Sequence, residues 1–579
     1  MTIFRISATA ALLALLLTGC ASFNLSSKSA SDTAADTSTD QVPVAAEVPS
    51  RPFPAPTLYS LLVAEVAGQR QQYNVALANY LDQARETQDA NVAQRATRIA
   101  QYVGADNYAF EAASIWVQAS PFDAQAHQAM AQQLMKIGNF QLALKHLESV
   151  LELAGASQFD YLVINAQRLS SAEKQQLLEQ LQQLTVKHPD YAQLWMAQGT
   201  LQIQLQDFEG ALVSLEKALS LRENYTAASL SKARVLHKLQ RPEQALRWLD
   251  DLHEELPKHK GIGVLRARIL IDLNRITDAR AAFQYLHDTF PDDQSIQLSL
   301  GLLHFELAEY DYAIAALTPL TLSPQLKDEA FYYLARIAEE QQDEERALRN
   351  FQQVSGGREY LPAQLKISNI LINKNGLEAS RKYLDSERAE HPEYTTELVL
   401  IESELLITEK QNQAAFELLS DALTVAPQNI KLLYSRALLS EKLDNLDQLE
   451  TDLRQILAMK PDNAEAMNAL GYTLADRTDR LDEAKQLIEK AIELSPDNPA
   501  IMDSLGWLHY RLGDLYKALE LLEKAFASFQ DHEVAAHLGE VLWKLDRKDD
   551  AQEVWRKGLE QAPESEIIER TLQRLNAKP

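Results

Sequence analysis

Residues 461–526 read PDNAEAMNALGYTLADRTDRLDEAKQLIEKAIELSPDNPAIMDSLGWLHYRLGDLYKALELLEKAF, and one arrangement passes through that stretch twice. Met467, Leu470, Gly471, Ala484, Ile488, Ala491 and Pro496 in the first pass are answered by Met502, Leu505, Gly506, Ala518, Leu522 and Ala525 in the second. Apolar residues three and four apart mark one face of a helix. Small residues at fixed places let two helices cross closely, and a proline ends the second helix because it has no N–H to continue the ladder. Each pass is a pair of antiparallel helices, the first with one extra residue in its turn. The fold depends on whether the pair recurs.

It recurs on a ruler. Pro189, Pro257, Pro291, Pro392, Pro427, Pro461, Pro496 and Pro563 fall at or near multiples of one spacing. With the gaps filled by phase, the interval from Pro121 to Pro563 divides into steps of about 34 residues. The small and large positions return at Gly199, Ala211 and Leu215, at Ala233, Ala245 and Leu249, and at Ala267, Ala279 and Phe283. They return again at Gly301, Ala313 and Leu317, at Ala335, Ala347 and Phe351, and at Gly539, Ala551 and Trp555. The repeat ending near Pro189 is degenerate, and the one ending at Pro392 has Ser368 and Ser380 at its small positions. Looser units with Ala64/Ala76 and Thr97/Ala109 extend the array toward the N-terminus.

The pattern resembles the tetratricopeptide-repeat superfamily over nearly the whole chain beyond the first fifty-odd residues. That resemblance implies an all-α solenoid, a superhelix of about fifteen helix pairs, some degenerate. Looser repeats are expected over 57–188 and the regular array over 189–563. A capping helix over 564–579, with Ile567, Ile568, Leu572 and Leu575, is expected to cover the last apolar face.

The N-terminus carries a different signal. Arg5 precedes an apolar run, Ala8 to Leu17, that ends Leu17-Thr18-Gly19-Cys20. A charged start, a short apolar stretch and small residues before a cut describe a secretory signal over 1–19. The run is too short for about 30 Å of hydrocarbon. Its end resembles the lipobox of bacterial lipoproteins, which implies that Cys20 is the acylated first residue of the mature chain. A simple signal peptide with an incidental cysteine is the other possibility. Ala21 in place of Asp implies, by the same resemblance, an anchor on the periplasmic face of a Gram-negative outer membrane. Residues 20–56, rich in Ser, Thr, Ala, Asp and Pro, cannot bury enough surface to offset ordering and are expected to form a tether. Cys20 is the only cysteine, which rules out internal disulfides. A net charge of −26 gives no reason to expect nucleic acid, and it repels anionic membranes, so membrane contact rests on the anchor.

Motifs for catalysis are missing from the sequence: no His-Glu-x-x-His, no Gly-x-Ser-x-Gly and no phosphate-cradling glycine loop. The chain therefore reads as a non-enzymatic binding protein, without cofactor or metal. Three surfaces are candidates for partners. Positions 2, 5, 9 and 12 of the first helices share one face, and in the last repeats they hold Asn468, Tyr472, Asp503, Trp507, Tyr510, Glu540 and Trp543. Aromatics grouped there serve either a peptide-binding hot spot or packing between repeats, and Arg511 and Lys544 beside them are placed to meet a carboxylate. From Arg222 to Arg280 twelve Lys/Arg stand against eight Asp/Glu. Arg234 and Arg268 share position 9 of successive repeats, where they hold an acidic partner segment or bridge to neighbouring carboxylates. Leu58, Leu61, Leu62, Val63 and Val66 form a broad apolar face after the tether, which either caps the next repeat or docks in a partner's groove.

Lipobox, tether and long array together resemble the outer-membrane tetratricopeptide lipoproteins that partner a periplasmic carboxyl-terminal processing protease. That resemblance implies an adaptor that binds and activates a PDZ serine protease and presents substrates such as peptidoglycan hydrolases. A scaffold subunit of an envelope export or assembly machine and an activator of a peptidoglycan synthase are the alternatives.

Overall fold

Each repeat marks its own helix ends. Two residues after a proline, Asp123, Asp293, Asn429, Asn463 and Asn498 stand in extended conformation and accept N–H bonds from the first turn of the next helix. Such caps satisfy donors that have no partner inside the helix. The first helix of a pair ends in a left-handed turn. Gln206, Gln240, Asn274, Ala308 and Gln342 step by the repeat period with φ between 56° and 63°, and Lys410 and Asp444 continue the step. The following N–H reaches five residues back, as from Asp207 to the Gln202 carbonyl at 2.9 Å, the geometry of a Schellman turn. The repeat with an extra residue departs as its length requires: Thr478 is extended, with φ −139° and ψ 177°.

These signals divide residues 54–578, the part of the chain that the computed structural model describes, into 31 α-helices with no strand among them. The signal segment 1–19, Cys20 and the tether through residue 53 lie outside the described residues. The first described helix opens at Ala55, two residues before the boundary expected from composition. Pro54 and Pro56 sit at its entry, where a fixed φ and a missing N–H cost nothing.

The unit through Leu317 holds eight antiparallel pairs, from Ala55–Gln69 with Tyr73–Thr87 to Gln294–Glu306 with Tyr310–Leu317. The small positions of the looser repeats, Ala64, Ala76, Thr97 and Ala109, are fully buried. The degenerate repeat has a shortened first helix, Phe159–Asn165, continued by a 3-10 turn, Ala166–Arg168. Its second helix, Ser171–Lys187, opens with a reciprocal cap between Ser170 and Glu173.

The unit from Thr318 holds seven pairs, Lys327–Glu340 with Glu344–Phe351 to His532–Lys544 with Lys548–Gln561, and then a single helix, Glu566–Leu575. The two units together contain the fifteen pairs the period implies. Where helices cross, the glycine is obligatory: a methyl on Gly539 would collide with the indole of the fully buried Trp555, and one on Gly506 with Leu522. Ser368 and Ser380 occupy the equivalent crossing in their repeat, fully buried and with hydroxyls that have no hydrogen-bond partner. Ile568 of the last helix is fully buried and lies over Gly558, so the terminal pair is covered.

Candidate functional site

The last repeats bring their first-helix side chains into one polar and aromatic network. Trp507 is only 5% exposed. Its indole N–H donates to Asp476 Oδ1 at 3.0 Å, and its ring stacks on His537 at 4.2 Å and on Tyr510 at 4.7 Å between centroids. The buried His537 donates from Nδ1 to Asp503, with both carboxylate oxygens at 3.0 Å, and its Nε2 lies 3.2 Å from the Tyr472 hydroxyl. Burial alone would push the His537 imidazole down; Asp503 outweighs it, with Asp476 and Glu533 adding, and the net direction is up. Tyr510 donates to Glu540 at 2.6 Å, and Arg574 of the last helix grips the same buried carboxylate with two bonds, 2.6 and 2.5 Å.

Trp543 is half-buried against Trp555, with the Lys548 ammonium over its face. Asn468 is half-buried, and its side-chain oxygen has no partner. Arg511 spends its donors on the carbonyls of Ala475, Asp476 and Thr478, closing the end of the preceding first helix. The network is rimmed by carboxylates. Burial pushes Glu441 up, with Glu533 and Asp476 adding to it, and burial raises the half-buried Tyr472 phenol well above its ordinary value.

Arg234 and Arg268 sit in the other unit, on helices Thr226–Lys238 and Lys260–Asp272, which touch. Neither guanidinium has an ion pair or hydrogen bond among the described residues, and the Nε of Arg268 is buried without a partner. The nearby Asp272 is taken by His237 at 2.8 Å. At the N-terminal end, the first helix turns Thr57, Ala64 and Ala67 inward, and Leu61 packs partly against the core. Leu58, Leu62 and Val66 stay 52%, 57% and 45% exposed.

One cluster could coordinate a cation: Glu148, Glu152 and His188 bring three ligand atoms within 4.8 Å of one another. The Lys187 ammonium already sits on both carboxylates, at 2.5 and 2.8 Å, and supplies that positive charge.

His537, Asp476 and Arg574 escaped the sequence reasoning. The signal for two of them was present: Asp503 and His537, and Glu540 and Arg574, are each one repeat apart. Residues at equivalent places in successive repeats meet across the stack.

Sequence models of the tetratricopeptide repeat match residues 202–269, 264–325, 329–355, 434–499 and 477–536. The chain is 39% identical over 488 residues to the TPR repeat-containing protein PA4667 of Pseudomonas aeruginosa, covering 84% of this chain and 82% of that protein. Among solved structures, yeast Tom70 aligns with 90% of this chain and 95% of its own at 13% identity, with a TM-score of 0.34. A chain of the APC/C hetero-tetramer Cut9–Hcn1 aligns with 90% and 96% at 14% identity, with a TM-score of 0.31.

Proposed function

This chain belongs to the tetratricopeptide-repeat family, a protein-binding scaffold by its fold, and on that premise we propose that it is a lipid-anchored adaptor of the Gram-negative periplasm. It binds and activates a carboxyl-terminal processing serine protease at the outer membrane and presents substrates such as peptidoglycan hydrolases to it. The observation that carries this proposal is one conjunction: Leu17-Thr18-Gly19-Cys20 stands ahead of a polar stretch and a long array of helix pairs. Each pair seals its core against its neighbours and leaves its remaining faces to partners. Acylation of Cys20 would hold the array at the membrane, where both protease and cell-wall enzymes work.

The test is capture of envelope proteins on purified residues 21–579, identified by mass spectrometry. Recovery of a PDZ serine protease together with cell-wall hydrolases is the expected result. Recovery of export or assembly components without the protease would overturn it. The anchor is tested separately: Cys20→Ser should move the protein out of the membrane fraction.

A further inference from the structure

We infer that Arg234 and Arg268 form a binding site for an acidic segment of a partner protein, an extended stretch that places carboxylates on both guanidiniums. The inference deepens the protein-binding reading above and rests on it, but not on the identity of the protease.

The first ground is the missing partner. Several other cations of this stretch are paired, Arg241 with Glu209 at 2.6 Å, Arg266 with Asp250 at 2.5 Å, Arg275 with Asp278 at 2.7 Å and Lys232 with Glu216 at 3.0 Å, while Lys238, Arg247 and Lys258 are exposed to solvent. The chain has 82 acidic residues for 56 basic ones, so carboxylates are abundant. Yet Arg234 and Arg268 have none, and Asp272, the acidic group near Arg268, is turned to His237. A guanidinium presents donors in a planar fork that suits a carboxylate, and leaving a buried donor unpaired costs about 1–3 kcal/mol. The buried Nε of Arg268 is such a donor.

The second ground is the like charge on the neighbouring helix. Arg268 is half-buried, which disfavours its charge, and the exposed Arg234 adds its repulsion. An anion between or across them relieves both penalties at once.

Spacing sets the ligand class. The two arginines project from equivalent places on adjacent helices, whose axes lie about 8–10 Å apart. An extended chain advances about 3.3–3.6 Å per residue, so carboxylates two or three residues apart match the pair. A single phosphate offers one charge centre and would have to draw both arginines inward.

The experiment uses the chain from residue 21 and a fluorescein-labelled octapeptide of alternating Glu and Gly, with alternating Gln and Gly as the neutral probe. Fluorescence anisotropy at low salt should show binding of the Glu peptide only. Arg234→Gln with Arg268→Gln should weaken it at least tenfold. Arg247→Gln with Lys258→Gln, which removes the same net charge from exposed positions, should change it less than twofold. Equal weakening by both double variants would reduce the effect to net charge and overturn the site, as would no binding by the unaltered chain. Displacement of the peptide by micromolar inorganic phosphate would assign the pair to phosphate and also overturn it. The readings fail separately. Protease captured without Glu-peptide binding removes the arginine site alone; arginine-dependent Glu-peptide binding with no protease captured upholds the site and removes the protease.

Discussion

His537 and Trp507 lie ring on ring, their centroids 4.2 Å apart and their planes 24° from parallel, and each is held by a carboxylate from a first helix. This pair joins two successive repeats through side chains that reach Asp476 and Asp503.

Trp507→Ala should therefore act first on stability. It removes a nearly buried ring and strands the Asp476 carboxylate, a loss on the order of 3 kcal/mol. Urea unfolding and amide exchange over 464–544 would register it, while exchange over 55–221 stays unchanged. If stability is unaltered but partner capture falls, the ring serves the partner and not the stack.

The buried Glu540 depends on the last helix. Arg574→Ala leaves that carboxylate with the Tyr510 hydroxyl alone, and a loss of about 2 kcal/mol is expected because a charged hydrogen bond is broken at a buried acceptor. Exchange in residues 566–575 should quicken most. Glu540→Gln in the Arg574→Ala background should recover part of the loss.

Two histidines give the units opposite pH responses. His127 donates from Nε2 to the Pro121 carbonyl, and its Nδ1 meets His146 Nδ1 at 2.9 Å, so only one of those two nitrogens carries a proton. Burial, with His127 adding, pushes His146 down to about 4. The unfolded chain takes up that proton first, so this contribution is full above about pH 6.5 and is lost as pH falls toward the folded value. A loss of about 1–2 kcal/mol between pH 7 and pH 5 is expected around residues 124–154, and His146→Asn should flatten it. His537 is raised, so its contribution is present at low pH and is lost as pH rises through its folded value. Protection over 499–544, corrected for intrinsic exchange, should decline as pH rises above about 6.5, and Asp503→Asn should abolish the trend.

Backbone turns offer a stabilising change. Ala308 holds φ 56° with a side chain, whereas Gly513 holds φ 85° without one. Ala308→Gly should gain about 0.5–1 kcal/mol and Gly513→Ala should lose as much, since a left-handed residue with Cβ costs more than the added freedom of glycine in the unfolded chain. Thermal midpoints of the two variants should move in opposite directions.

The helix pairs were legible in the sequence because their boundaries are local: a proline, a capping Asn or Asp two residues on, and small residues at the crossing. Ser368 and Ser380 were legible as departures, and their unpaired hydroxyls show what replaces glycine or alanine there. The side-chain network was not legible to the same degree. Trp507 and Tyr472 have the helical positions of groove residues, but those positions also face the next repeat, and only the identity of the residue one period away decides between the two. Arg234 and Arg268 could be placed on one face, whereas their lack of a carboxylate depends on His237 taking Asp272, a contact between repeats that spacing does not reveal.

The left-handed turns have a consequence for how the chain acquires its fold. Because each one closes a helix pair with bonds that reach no more than five residues back, a pair needs nothing distant in sequence in order to form. Its neighbours then add contacts at a separation of one period. Low contact order of this kind favours fast formation, and it suits a polypeptide that emerges from one end: a segment can settle as soon as its own helices and the preceding pair are available, without waiting for the C-terminus to arrive.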